Sequence, residues 1–200
     1  MKRRLTAVYF LGMVAEIIVR TPYERQRNQI QKTDQRVSLA ERGLLSWMTI
    51  GMFALPLVYG LSKWLDFANY RLAPTTKKLA GGLGTGLLSA AVWMLWRGHR
   101  DLGANWSPSL EITTQQTLIT EGVYRTIRHP MYTSQLLWGF AQALLLQNWL
   151  SGLGGLVAFL FLYLARVPNE EQMMLDHFGD DYRAYCERTG RVLPRLWGKG

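Results

Sequence analysis

The chain has 200 residues, with 23 Lys and Arg against 14 Asp and Glu, for a formal net charge of +9. That length fits one domain and leaves no room for a second, and the single Cys186 excludes an internal disulfide and any multi-cysteine metal site. The mean hydropathy of −0.03 averages over a sharp segregation, because the charges sit in a few hydrophilic blocks separated by long uncharged stretches.

In chain order, "LTAVYFLGMVAEIIV" predicts a first helix over 5–20, short for a membrane span and carrying Glu16. Its "MKRR" start resembles that of a signal peptide, but no small-residue cleavage site comes after it, so the segment is expected to be retained. A basic loop (21–42) leads to residues 43–62, which hold no charge over 20 positions. That is about the length that crosses a bilayer core, and it predicts a helix over 43–61. Residues 79–96 give 18 more uncharged positions and predict a helix over 77–97. The "GGLGTG" at 81–86 has the look of a nucleotide-binding glycine loop, but such a loop needs a strand before it and a soluble helix after it. Inside an apolar span, Gly82 and Gly86 are read instead as close-packing positions.

After a polar segment (98–128), positions 129–165 carry no Asp, Glu, Lys or Arg. The run is too long for one crossing and has Gln147-Asn148 near its middle, so it predicts two helices, 130–147 and 149–166, joined by a tight turn. Pro168 is expected to interrupt the second, with Asn169 and Gln172 fitting a capping box for a new helix. The tail "NEEQMMLDHFGDDYRAYCERTG" reads as a helix, a break at Gly179 and a short helix ending at Gly190.

A soluble five-helix core would show amphipathic stripes, whereas 43–62 and 130–165 are apolar around their whole circumference. The expected class is therefore all-α: a polytopic membrane protein with about five spans, a C-terminal helical hairpin and a cytosolic helical tail. It is read as one domain, with three spans in 1–97 and the chemistry in 98–200. If five spans cross, the segments on one side hold 16 Lys and Arg and those on the other 7. The richer side, with the C-terminus and the 97–130 segment, is expected to be cytoplasmic. The positive charge is then topological and directed at membrane lipids. No nucleic-acid partner is expected, since no basic stripe persists on a soluble domain.

The chemistry-bearing stretch is "GVYRTIRHPMY", residues 122–132. Pro130 suits the first turn of a helix, and Arg125, Arg128 and His129 crowd its start. Cations there are disfavoured by about 0.3–1 kcal/mol each, so an anion should meet them. Lipid phosphates and a carboxylate or phosphate ligand held at the helix start both satisfy that requirement. The second stretch is "ARVPNEEQMML", residues 165–175. A tight hairpin would bring Arg166 and Glu170 beside Arg128, His129 and Tyr132 at one membrane surface, a setting suited to a zwitterionic ligand. Metal chemistry is poorly supported, because His99, His129 and His177 lack ligand spacing.

"GVYRTIRHPMY" and, downstream of it, "RVPNEEQMMLDHFGDDYRAYCERTGRVLP" closely resemble the isoprenylcysteine carboxyl methyltransferases and, more loosely, membrane phospholipid methyltransferases. The resemblance covers roughly 98–195, and the compact layout looks like the prokaryotic branch, which implies a prokaryotic cell membrane. It implies S-adenosylmethionine as methyl donor (S-adenosylhomocysteine as product), held without a Rossmann sheet. It also implies a lipophilic, prenylcysteine-like methyl acceptor. Carried over by position, cofactor contacts would come from Glu111, Gln116, Thr117, Leu118, Ile119, Tyr124, His129, Pro130, Met131, Tyr132 and Glu170. Arg166 would bind the acceptor, and Arg166 and Glu170 would be the catalytic pair. Family members often have His where this chain has Gln116, which puts a proton-transfer role there in doubt. The competing functions are phospholipid N-methylation or small-thiol S-methylation on the same scaffold, and a non-enzymatic membrane scaffold or transporter.

Overall fold

The computed structural model describes residues 2–27, 32–35, 39–106, 111–113 and 117–195. Its architecture is that of a helical membrane protein. The helices are α1 (Lys2–Arg27), α2 (Leu39–Thr49), α3 (Leu55–Leu61), α4 (Pro74–Leu102), α5 (Pro130–Leu146), α6 (Trp149–Phe178) and α7 (Asp180–Arg188). The loops after α1 and α4 add an antiparallel ribbon, β1 (Lys32–Gln35) with β2 (Glu111–Thr113), pairing Gln35 with Glu111 and Lys32 with Thr113. Among the described residues four helices are long and apolar enough to cross a membrane: Lys2–Gln26, Arg42–Leu61, Pro74–Leu102 and Trp149–Phe178. Five spans were expected. The fifth, α5, has 17 residues and rises about 26 Å, somewhat under the ~30 Å hydrocarbon thickness.

The α5–α6 hairpin closes where the sequence places it. Gln147 adopts the left-handed conformation (φ 50°). Asn148 caps α6 by accepting from the Leu150 and Ser151 amides at 3.1 and 3.0 Å. Its side-chain amide donates to Leu65 O and Asn69 Oδ1, and Gln147 Nε2 donates to Lys77 O. The turn is thereby tied to the segment before α4 and to the first turn of α4.

Three expectations are corrected. First, α6 does not end near Arg166 but runs through Pro168 to Phe178. A proline removes one N–H from the ladder, and beside that break Asn169 Nδ2 donates to Ala165 O at 3.0 Å instead of capping a new helix. Second, the 43–61 helix is not uniform, since Ile50–Ala54 forms a π-helical segment between α2 and α3. Gln142 on α5, fully buried, donates there to Gly51 O (2.8 Å) and, on α6, to Ser151 O (2.6 Å). Tyr9 OH donates to Met52 O at 2.5 Å. The local widening thus directs two carbonyls at polar side chains that would otherwise be stranded in hydrocarbon. Third, Gly82 and Gly86 face open space. The packing glycines are Gly81, against Leu5, and Gly84, where a Cβ would lie 3.0 Å from Leu144 Cβ.

The core gathers Tyr9, Met13, Met52, Tyr59, Leu88, Ala91, Trp138 and Leu145 from α1, the π segment, α3, α4 and α5. Leu5 meets Gly81 and Gly12 meets Leu88, so α1 and α4 run in the same direction. Gly84 meets Leu145 and Gly98 meets Met131, so α5 runs against them. The C-terminal ends of α1, α4 and α6 therefore gather with the N-terminal end of α5.

Candidate active site

At that gathered end lies a cleft of about 890 Å³ of free space, its open mouth included. Its walls come from the end of α4, the segment 117–132, the second half of α6, and α7. Thr117, Leu118, Ile119, Tyr124, His129, Pro130, Met131, Tyr132, Arg166 and Glu170, all expected from the sequence, line it. Glu111 lies on β2 in the ribbon, and Gln116 lies outside the described residues.

Each wall has a local cause. Asn105 holds the 117–119 segment by accepting from the Thr117 amide at 2.7 Å and donating to Thr117 Oγ1 at 3.0 Å. The turn at Gly122 needs a positive φ (58°). A Cβ there would strike Asp101 Oδ2, the carboxylate oxygen that accepts from the Val123 amide at 2.9 Å. Tyr124 is buried. Its hydroxyl donates to Gly98 O (3.3 Å), and its carbonyl accepts from Tyr185 OH (2.7 Å). Burial pushes the Tyr124 phenol well above its ordinary pKa, so it acts as a neutral donor.

Two carboxylates divide the polar work. Adjacent residues on a helix point about 100° apart, so Glu170 and Glu171 serve different surroundings. Glu170 faces the cleft: Tyr132 OH donates to its Oε2 at 2.8 Å, and Arg166, one turn back on α6, places Nε 4.0 Å from the same oxygen. His129 Nδ1 stands 3.8 Å from Glu170 Oε1, and the ring of His129 packs edge-on against Tyr132. Arg166 and His129 are both more than nine-tenths buried.

Glu171, which sequence reasoning passed over, supplies the anion that the basic cluster requires. It accepts from Arg128 Nε at 3.1 Å and from Arg191 at 3.0 and 2.7 Å, and His129 Nε2 lies 3.2 Å away. The group that meets Arg128 and His129 inside the protein is thus one of its own side chains. Arg125 is exposed. Arg128 Nη1 also donates to Cys186 O (3.1 Å), to Thr189 O and to Thr189 Oγ1 (3.3 Å). The chain after α7 then lies along the segment before α5. Arg128 N donates to Gly190 O (2.8 Å), His129 N to Arg191 O (2.9 Å) and Gly190 N to Thr126 O (3.1 Å), and Thr133 Oγ1 donates to Val192 O (2.7 Å). This strap fixes the start of α5, and with it the orientation of His129 and Tyr132. The one available signal was the Glu-Glu pair itself, and nothing in it says which carboxylate looks inward.

Among the described residues no group of three or more His, Cys, Asp or Glu side chains is arranged to hold a metal ion. The donor set instead suits an organic ligand carrying both charges: a carboxylate, phenols and a guanidinium grouped together, with apolar walls including Met131 and Met173.

Residues 84–176 match the model of the Isoprenylcysteine carboxyl methyltransferase (ICMT) family. A protein of Oryza sativa subsp. indica named "Probable protein-S-isoprenylcysteine O-methyltransferase" is 35% identical over 80 residues, 40% of this chain and 42% of that protein. The Homo sapiens protein-S-isoprenylcysteine O-methyltransferase is 28% identical over 146 residues, 70% of this chain and 51% of that one. Among solved structures, the eukaryotic intramembrane Ras methyltransferase ICMT aligns at 22% identity with a TM-score of 0.40, covering 79% of this chain and 52% of that chain. The chain spans about half the length, or less, of these relatives.

Proposed function

We propose that this chain, which the model of the isoprenylcysteine carboxyl methyltransferase family matches over residues 84–176, belongs to that family and is an integral-membrane methyltransferase. It uses S-adenosylmethionine and methylates the carboxylate of a lipophilic, isoprenylcysteine-type acid. The observation that carries this reading is the convergence of Tyr132, Arg166 and Glu170 on one cleft at the charged end of an apolar hairpin.

S-adenosylmethionine supplies, when bound, a methyl group on a cationic sulfur, and S-adenosylhomocysteine is what remains. Glu170 and Tyr132 would hold its polar groups, with Tyr124 and the 117–119 segment forming the opposite wall. Glu111 and Gln116 keep the cofactor contacts the resemblance assigns to them. An acceptor carboxylate is already ionised near neutral pH, so no residue has to remove a proton. Arg166 orients that carboxylate through a planar fork of donors, and burial of its side chain excludes water from the reacting oxygen. The protein's contribution is in-line placement. The Lys and Arg asymmetry of 16 against 7 supports a cytoplasmic cleft and C-terminus, and the compact layout supports the cell membrane of a prokaryote. Residues 1–97 form the supporting spans and 98–200 the catalytic half of one domain.

A second acceptor class has its own support. Tyr132, Phe159 and Tyr163 form a contiguous aromatic cluster beside Glu170, and a carboxylate with aromatic faces also suits an amine. Parallel methyl-transfer assays on a farnesyl-cysteine analogue, a phosphatidylethanolamine and a short thiol separate the readings. Selective turnover of the first supports carboxyl methylation; selective turnover of the lipid amine transfers the proposal to that class. Absence of transfer to all three, with purified folded protein, contradicts the enzyme.

A further inference from the structure

On the face away from the cleft, α1 and α4 enclose a long groove of about 1000 Å³ of free space, its open side included. Leu88 covers Gly12 there, and Ala15, Thr85 and Ser89 are the small residues among otherwise apolar walls. The two hydroxyls are already used, Thr85 Oγ1 donating to Gly81 O at 2.8 Å and Ser89 Oγ to Thr85 O at 3.0 Å. The groove therefore asks for no polar partner and accepts hydrocarbon. From Thr85 to Trp96 the helix rises about 16 Å, close to the ~15 Å depth of one leaflet's hydrocarbon.

The groove ends beside an exposed cation. Trp96 closes it, and one turn further along the same face the Arg100 guanidinium sits 5.3 Å from the Trp96 ring centroid. Tryptophan at a span end marks the headgroup level. The neighbouring cations have protein partners: Arg97 pairs with Asp101 at 3.3 Å and Arg20 with Glu16 at 3.0 Å. Arg100 is exposed and makes no ion pair among the described residues. A leaflet-long apolar trough capped by an arginine is complementary to one molecule class, an amphiphile with an anionic head and a long chain.

We propose that the α1–α4 groove binds one anionic phospholipid, with an acyl chain along the Thr85–Trp96 face of α4 and its phosphate on Arg100. The site lies apart from the cleft and does not depend on which acceptor is methylated. Its test is native mass spectrometry of the purified protein titrated with phosphatidylglycerol and with phosphatidylcholine. The wild type is expected to bind phosphatidylglycerol more tightly. Arg100→Ala should weaken phosphatidylglycerol binding roughly fivefold, the effect of one surface cation, while Arg100→Lys retains it. Ser89→Leu, which fills the trough from a lipid-facing position, should weaken both lipids. Unchanged phosphatidylglycerol binding in Arg100→Ala overturns the proposal. So does an equal loss in Arg183→Ala, on the exposed surface of α7, because the attraction would then be diffuse.

Discussion

The two ends of the α5–α6 hairpin are both polar, yet they are built on opposite plans. At the turn end, Asn148 is completely buried and its amide is used on both sides, accepting from two backbone amides and Ser151 Oγ and donating to Leu65 O and Asn69 Oδ1. Those groups close on one another. At the other end, Tyr132, Arg166 and Glu170 are arrayed around a cleft, with Arg166 and Glu170 only at the outer edge of ion-pair range, 4.0 Å. Within that same end Glu171 takes the plan of the turn, gathering Arg128, His129 and Arg191 into a compact clamp. Polar residues that satisfy each other hold a membrane fold together; polar residues arranged around space are where a ligand can act.

That contrast makes graded predictions. The largest effect is expected at the clamp. Glu171→Ala leaves partly buried cations without their carboxylate, a change that costs about 3–5 kcal/mol in comparable buried pairs. Thermal unfolding in detergent should show a large loss of stability together with loss of all ligand binding. A variant as stable as the wild type would show that the clamp does not hold the strap. Next is Arg166→Ala, which should lower methyl-transfer kcat/KM by roughly 10²-fold through loss of acceptor placement while melting close to the wild type. Equal damage to stability and turnover would erase the distinction drawn between Arg166 and Glu171.

At the opposite end Asn148→Ala removes a helix cap and buried hydrogen bonds, worth about 1–2 kcal/mol. It is expected to lower stability and leave KM for the acceptor unchanged. A KM change there would mean that the turn end communicates with the cleft. The smallest effect belongs to Tyr132→Phe, which deletes one hydrogen bond to Glu170, about 1 kcal/mol, and should weaken S-adenosylhomocysteine binding several-fold with little change in melting temperature.

Much of this arrangement is legible in the sequence, because periodicity and charge segregation are coarse signals. The 37 uncharged positions with Gln147-Asn148 at their centre announce a hairpin, and a hairpin necessarily returns Arg166 and Glu170 to His129 and Tyr132. Other features depend on contacts between distant elements. Gly81 and Gly84 rather than Gly82 and Gly86 pack because helix rotation is set by Leu5, Leu144 and Leu145, which no local pattern reports. The π segment answers Gln142 and Tyr9 from other helices. The proline at 168 reads as a stop, yet the apolar packing of α6 on α5 and the Asn169 side-chain bond carry the helix past it. The choice between Glu170 and Glu171 rests on the strap at 189–192, which returns to the start of α5 through backbone hydrogen bonds. Backbone pairing of that kind is blind to side-chain identity and leaves no mark in the residues that make it.

In the proposed reaction the cleft end binds a methyl donor through Glu170 while Arg166 serves the acceptor. Isothermal calorimetry of S-adenosylhomocysteine on detergent-purified wild type, Glu170→Gln and Arg166→Ala tests it most directly. The expected result is clear binding to the wild type, an affinity roughly tenfold weaker for Glu170→Gln, of the size of a charged hydrogen bond, and near-wild-type affinity for Arg166→Ala. No heat of binding to folded wild-type protein, or equal losses in the two variants, would contradict the account.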